Sequence, residues 1–276
     1  MSRTHQLAAV LALGVSSAAS AITITFDDFS STAGLQHNGA AATATDAAGR
    51  SVLRVAPAER NQAGSVFSTS PITLANEASF STKFQFNFNN QVNGGADGLV
   101  FVVQTVSNTA GSDGVGIGYA GLGNSVGVEF DNWNNPSVDG ASANHVGIDL
   151  NGSVNSVARN DNLPVALDGG GDLFAWIDYN GATDLLEVRL DDVDARPAAS
   201  LLSLTTDLVG VLGSPDAFVG FTSATGAAAA NHDVIAWEFR DIFAPVGEPG
   251  AVPEPMSLLL VAVGLVGLGA TTRRRP

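Results

Sequence analysis

Phe80, Phe84, Phe86 and Phe88 share one parity of the run 78–88, while Lys83, Gln85 and Asn87 take the other. Successive side chains of an extended chain point to opposite faces, so this run predicts a strand with one face in a core and one in water. Shorter apolar runs at 98–104, 126–130, 145–150, 172–179, 184–190, 218–223 and 233–239 are bounded by Gly, Asn and Asp. Asn180-Gly181 between two of them is a hairpin signal, loosened by Ala182-Thr183. Helical spacing persists for no more than a turn or two outside the two ends. Strands of this length and spacing predict one all-β domain over residues 22–245, a sandwich or jelly roll. Apolar residues make up 45% of the chain, enough for a substantial core, and there is no cysteine. Packing, helped by bound metal, would then hold the domain together.

The chemistry concentrates between residues 129 and 151. Glu129 and Asp131 are two apart and fall on the same face of a strand. The loop that follows is rich in Asn, Asp, Pro and Gly and can return Asn135, Asp139 and His145 over that face. Crowded carboxylates repel unless a cation sits among them. Oxygen-rich donors with a single imidazole suit a hard divalent ion such as Ca²⁺, or Mn²⁺ nearer the histidine. His37 and His232 have no such neighbours in sequence and receive no role. The formal charge of −15 excludes a nucleic-acid partner, because phosphate contacts require Lys and Arg. Neutral sugars meet no such obstacle.

The two ends carry addresses. Met1-Ser2-Arg3, an apolar stretch from Leu7 to Val15 and the small residues Ala19-Ser20-Ala21 predict a signal peptide over residues 1–21. Residues 246–251 read as a linker, and residues 252–276 as a sorting tail. In that tail Pro253-Glu254-Pro255 precedes an apolar run from Met256 to Ala270 and then Arg273-Arg274-Arg275. The run predicts a C-terminal membrane helix with its arginines on the cytoplasmic side. The tail resembles the PEP-CTERM signal. That resemblance implies transient membrane insertion, recognition by an exosortase, and release to the cell surface or extracellular matrix.

Four blocks of the central domain resemble the L-type, or legume-like, lectins. They are Ala96-Asp97-Gly98-Leu99-Val100-Phe101, Gly118-Tyr119-Ala120-Gly121, the segment 129–151 including His145-Val146-Gly147-Ile148-Asp149, and Val219-Gly220-Phe221-Thr222-Ser223-Ala224-Thr225-Gly226 followed by His232-Asp233-Val234-Ile235-Ala236-Trp237. The resemblance implies a concanavalin-like jelly roll of two large sheets. It also implies a cis Ala96–Asp97 peptide, with Asp97 accepting from sugar hydroxyls, Gly118 donating its backbone N–H, Asn135 donating its amide and Trp133 stacking on the ring. Ca²⁺ would be held by Asp131, Trp133 through its carbonyl, Asn135 and Asp139. A second metal, Mn²⁺, would be held by Glu129 and His145 with Asp131 and Asp139 bridging. The loop 226–231 sits where the family sets sugar preference, and its Gly-Ala-Ala-Ala-Ala-Asn offers little to hydrogen-bond.

Two further readings stay beside an exported, Ca²⁺-dependent lectin that binds glycans or exopolysaccharide. One is a structural matrix or adhesin protein with the same fold and no sugar affinity. The other is a glycoside hydrolase of the jelly-roll kind, which places Glu-x-Asp-x-x-Glu on one strand. Here Asn134 replaces the second glutamate, and an amide cannot serve as acid and base. No enzyme is expected.

Overall fold

The computed structural model describes residues 21–111, 116–138 and 142–248. The signal peptide short of Ala21, the sorting tail with its apolar run, and Asp139 lie outside those residues. In chain order the first strands are β1 (Thr23–Phe26), β2 (Leu35–Gly39), β3 (Ala42–Thr45), β4 (Ser51–Ala56), β5 (Ala63–Ser68) and β6 (Ile72–Thr73), followed by the short helix α1 (Ala75–Ala78). Then come β7 (Phe80–Val92), β8 (Gly98–Gln104), β9 (Ser125–Asp131), β10 (His145–Leu150) and β11 (Ala158–Asn160). The chain continues through β12 (Leu173–Asn180), β13 (Leu185–Asp191), β14 (Leu202–Thr205), helix α2 (Leu208–Leu212), β15 (Asp216–Ala224) and β16 (Ala229–Arg240).

These strands form two eight-stranded antiparallel sheets. The back sheet runs β14-β13-β12-β7-β16-β4-β3, with β1 also on β16; the front sheet runs β11-β10-β9-β8-β15-β5-β2, with β6 also on β15. The expected all-β sandwich is what forms. No described helix is long and apolar enough to cross a membrane.

The phenylalanines of β7 explain why the sheets meet. Phe84 lies within 5.1 Å of Phe221 on β15 and 5.6 Å of Phe130 on β9, centroid to centroid, so one strand of the back sheet touches two of the front. Phe86 reaches Phe130 at 5.0 Å, and Trp237 on β16 reaches Phe221 at 5.0 Å. Such edge-to-face and tilted contacts add to the burial of the rings themselves. The opposite parity of β7 carries a polar strip: Gln85 and Asn87 donate to Asp172, and Asn89 donates to Asp233. Arg50 and Arg54 neutralise those two aspartates.

Strand β8 is buried on both faces. Leu99, Phe101 and Val103 enter the main core, while Val100 and Val102 pack against Ile117, Tyr119 and Leu122. The loop before β9 therefore roofs the outer side of the front sheet, which is why Gly98–Gln104 reads as a continuous apolar run. The turn after Asn180 uses residues 181–184, with Asp184 at φ 53, so it is longer than a two-residue turn.

Helix α2 begins at Asp207, whose carboxylate accepts from Gly210 N at 2.9 Å, and ends on Gly213 at φ 67. Asp207→Ala is expected to cost about 1 kcal/mol, the usual loss of an N-cap, read as a lower urea midpoint. An unchanged midpoint would show that the cap contributes nothing here. At the exit of the sandwich Val246 is buried and Glu248 pairs with Arg196 at 3.4 Å. The chain is thus held against the back sheet as far as it is described.

Candidate functional site

Antiparallel pairing of β9 with β10 sets His145 opposite Asp131 and Gly147 opposite Glu129. Asp131, Glu129 and His145 therefore share one face. One donor atom from each lies within 4.8 Å of the others, and all three residues are at most 2% exposed. Glu129 Oε1 lies 3.3 Å from His145 Nε2 and accepts from Ser156 Oγ at 2.5 Å. Gly147 is required here for space: a Cβ would come within 2.4 Å of Glu129 Oε1 and 2.3 Å of Ser156 Oγ. The glutamate thus lies across the neighbouring strand.

Asp149, two residues beyond Gly147 on β10, extends this acidic group. Its carboxyl is fully buried and is pushed up to about 9, first by burial and then by the charge of Glu129. The sequence reading gave it no role. Its parity with His145 was the available signal.

Strand β9 ends in a turn that carries the next two candidates. Trp133 N donates to Asp131 Oδ1 at 2.6 Å, and Val138 N donates to Asn135 O at 2.8 Å. Asn135 lines the same cavity as Glu129 and Asp131, a space of about 70 Å³ closed by Ile117, Ser137 and Val138. A larger groove of about 220 Å³ lies on the outer face of the back sheet by Lys83, Phe174 and Asp194. It holds no comparable group of ligands, so the smaller cavity is the candidate site.

The residue types fit a divalent cation. Two buried carboxylates and an imidazole converge, with Asn135 lining the same cavity, and like charges at such burial favour an ion between them. Carboxylate oxygens suit a hard cation such as Ca²⁺, and the His145 imidazole suits a transition metal.

Asp97 and Gly118 meet the metal group through β15. Asp97 N donates to Ala224 O at 2.9 Å, and Asn132 N donates to Asp97 O at 3.2 Å. The Ala96–Asp97 peptide is cis. Gly118, at φ 70, lies over Thr222 and Ser223, where a Cβ would approach Ser223 O to 3.1 Å. Trp133 is half-buried beside Gly94, in the loop leading to Asp97. The described candidates thus gather at one end of the front sheet.

A second element was missed. His232 is fully buried, and its Nδ1 lies 2.9 Å from Ser223 Oγ, which donates to Gly98 O at 2.6 Å. The hydroxyl has one proton, so the network assigns Nδ1–H to the histidine as donor. This chain of bonds ends on the residue after Asp97.

The family model for the legume lectin domain matches residues 21–249. The chain is 30% identical over 214 residues to the probable inactive L-type lectin-domain containing receptor kinase III.1 of Arabidopsis thaliana, covering 68% of this chain and 34% of that protein. It is likewise 30% identical over 211 residues to receptor kinase VIII.1 of the same plant, covering 72% of this chain and 29% of that one. The chain therefore spans about a third of the length of these relatives. Among solved structures, the basic winged bean lectin with Tn-antigen superposes with a TM-score of 0.65 at 28% identity, covering 80% of this chain and 98% of that one. Lectin I-B4 from Griffonia simplicifolia, in a metal-free form, gives a TM-score of 0.66 at 26% identity and covers 79% and 98%.

Proposed function

The chain belongs to the legume lectin family, and from that premise we propose that it is an exported, Ca²⁺-dependent lectin of the cell surface or extracellular matrix. The family's domain is a carbohydrate-binding fold and not an enzyme. Legume lectins in general bind Ca²⁺ and Mn²⁺. In this reading Asp131, Trp133, Asn135 and Asp139 hold Ca²⁺, while Glu129 and His145 face a second ion such as Mn²⁺. Asp97 accepts from two sugar hydroxyls, Gly118 and Asn135 donate, and the Trp133 ring lies under the C–H face of the sugar. The bound metal supplies fixed positive charge that sets the loops; the hydrogen bonds to sugar come from the protein.

The ends complete the proposal. Residues 1–21 direct export, and residues 252–276 act as a PEP-CTERM tail, inserted through its apolar run and processed by an exosortase. The lectin domain occupies 22–245, joined to the tail through 246–251. Glycans or exopolysaccharide are the partners.

One observation supports this reading most: the buried group of Glu129, Asp131 and His145 lies at the same sheet end as Asp97 and Gly118. Adding Ca²⁺ at about 100 times its Kd to metal-stripped protein is expected to stabilise it by about 2–3 kcal/mol, a rise of roughly 5–10 °C in Tm. A glycan array with and without EDTA should lose its signal on chelation. A flat melting temperature together with EDTA-insensitive binding would refute the metal role. Calcium-dependent folding with a silent array would favour the structural matrix protein, for which the apolar loop 226–231 is the argument.

A further inference from the structure

The described residues include eight arginine and lysine side chains, and seven of them sit against a carboxylate. Arg50 pairs with Asp46 and Asp172, Arg54 with Asp233, and Lys83 with Asp194. Arg159 pairs with Asp161, Arg189 with Glu187, Arg196 with Asp178, and Arg240 with Glu238. Among the described residues Arg60 alone has no acidic partner, in a chain where Asp and Glu outnumber Lys and Arg 27 to 12. It is exposed. A cation left unpaired amid such an excess of acid stands out.

Its place in the fold gives that isolation a meaning. Arg60 lies in the loop 57–62 between β4 and β5, and this loop is fastened to the end of β15. Asn61 N donates to Gly226 O at 3.1 Å, and Thr225 N donates to Gln62 O at 2.8 Å. Gln62 N donates to Thr225 Oγ1 at 2.9 Å, and that hydroxyl donates to Glu59 O at 2.5 Å. Gly226 adjoins the candidate sugar acceptor: a Cβ there would lie 3.6 Å from Asp97 Oδ2. The backbone bearing Arg60 is thereby fixed at the rim of the Asp97 site.

The neighbouring loop leaves that rim open. Ala228, Ala229 and Ala230 are buried, and Asn231 is used inward, accepting from Ala58 N at 2.8 Å and donating to Asn89 Oδ1 at 3.0 Å. Among the described residues, Glu59, Arg60 and Asn61 on the adjacent loop are exposed beside that rim. We infer that Arg60 binds the carboxylate of a uronic-acid residue, so that the site takes acidic saccharides. The inference rests on the lectin reading and names its substrate class. A guanidinium matches a carboxylate with two parallel N–H bonds, which a hydroxyl or an ester cannot accept with charge. The acidic surface at large opposes such a ligand only weakly, because charges beyond about 8 Å are screened at physiological salt.

The test uses uronate oligosaccharides (galacturonate, glucuronate and mannuronate series), each beside its methyl ester, which keeps every ring hydroxyl and removes the charge. Titration calorimetry on the Ca²⁺-loaded full domain is expected to show one acid bound about tenfold more tightly than its ester, the scale of one charge-assisted bond. Arg60→Gln should bring that ratio to about one, and Arg60→Lys should retain part of it. A ratio near one in the wild-type protein, or one that Arg60→Gln leaves unchanged, overturns the acidic specificity. Binding of either form that Asp97→Asn abolishes would in that case still uphold the lectin reading. A broad array on which no saccharide binds, or binding indifferent to Asp97→Asn, overturns both.

Discussion

Asp131→Ala is expected to weaken saccharide binding by more than about 100-fold and to erase the thermal response to calcium. Outer partners of a metal site already account for 10–100-fold in affinity when removed, and a direct ligand should exceed them. Asp131 has two tasks. It stands beside Glu129 in the buried group, and its Oδ1 accepts the Trp133 N–H at 2.6 Å, which fixes the turn carrying Asn135. Asp131→Asn separates these tasks, since an amide oxygen can still accept from Trp133 but brings no charge. The asparagine variant should therefore lose the calcium response while its metal-free form is no less stable than the wild type. Removing one of several crowded carboxylates relieves repulsion that also acts on Asp149. Calorimetry against a bound glycan, with melting curves in calcium and in EDTA, reads both effects. Wild-type affinity in the alanine variant would eliminate the site as drawn.

The same residues show why parts of this molecule were legible from sequence and parts were not. Strand β7 declared itself because its phenylalanines share a parity, and that parity does face the core. Glu129 and Asp131 were placed on one face by their spacing of two, and the register with β10 set His145 opposite them. Strand β3 gave no such signal, and β14 only the brief alternation of Leu202 and Leu204 with Ser203 and Thr205. Ala42–Thr45 carries no large apolar residue, and both strands lie at sheet edges, where pairing with a neighbour supplies the order. Strand β16 starts at Ala229, several residues before its apolar run, because the alanines there are ordered by contact with β7. The loop 57–62 was the least legible element. Its role comes from bonds to Thr225 and Gly226, far along the chain, which no periodicity announces. Asp139 lies outside the described residues, so its expected place beside Asp131 rests on the loop composition and the resemblance.

Acidification from pH 6.5 towards 3 should destabilise the domain through His232, by about 1.4 kcal/mol per pH unit and up to about 4–5 kcal/mol in total. Burial without a compensating charge lowers this imidazole to about 3. Its Nδ1–H is engaged by Ser223, its ring packs edge-on against Phe88 at 4.7 Å, and its Nε2 meets no hydrogen-bonding partner among the described residues. Within this window the unfolded chain binds a proton that the folded chain refuses, so stability rises with pH and is lost as pH falls. Other groups contribute as well: Asp46 and Asp172, both held low in the fold, add to acid lability at lower pH, while Asp149, Asp178 and Asp241, held high, act in the opposite sense as pH rises. The difference between wild type and His232→Gln isolates the imidazole, because glutamine keeps a neutral donor for Ser223 and does not titrate. Urea unfolding from pH 4 to 7 should therefore give a steeper slope for the wild type, with the two curves converging in shape above pH 7. Parallel slopes would mean that the histidine is protonated or solvated in the fold. The bonds running from His232 through Ser223 to Gly98 could then no longer be taken as a neutral, fixed support beneath Asp97.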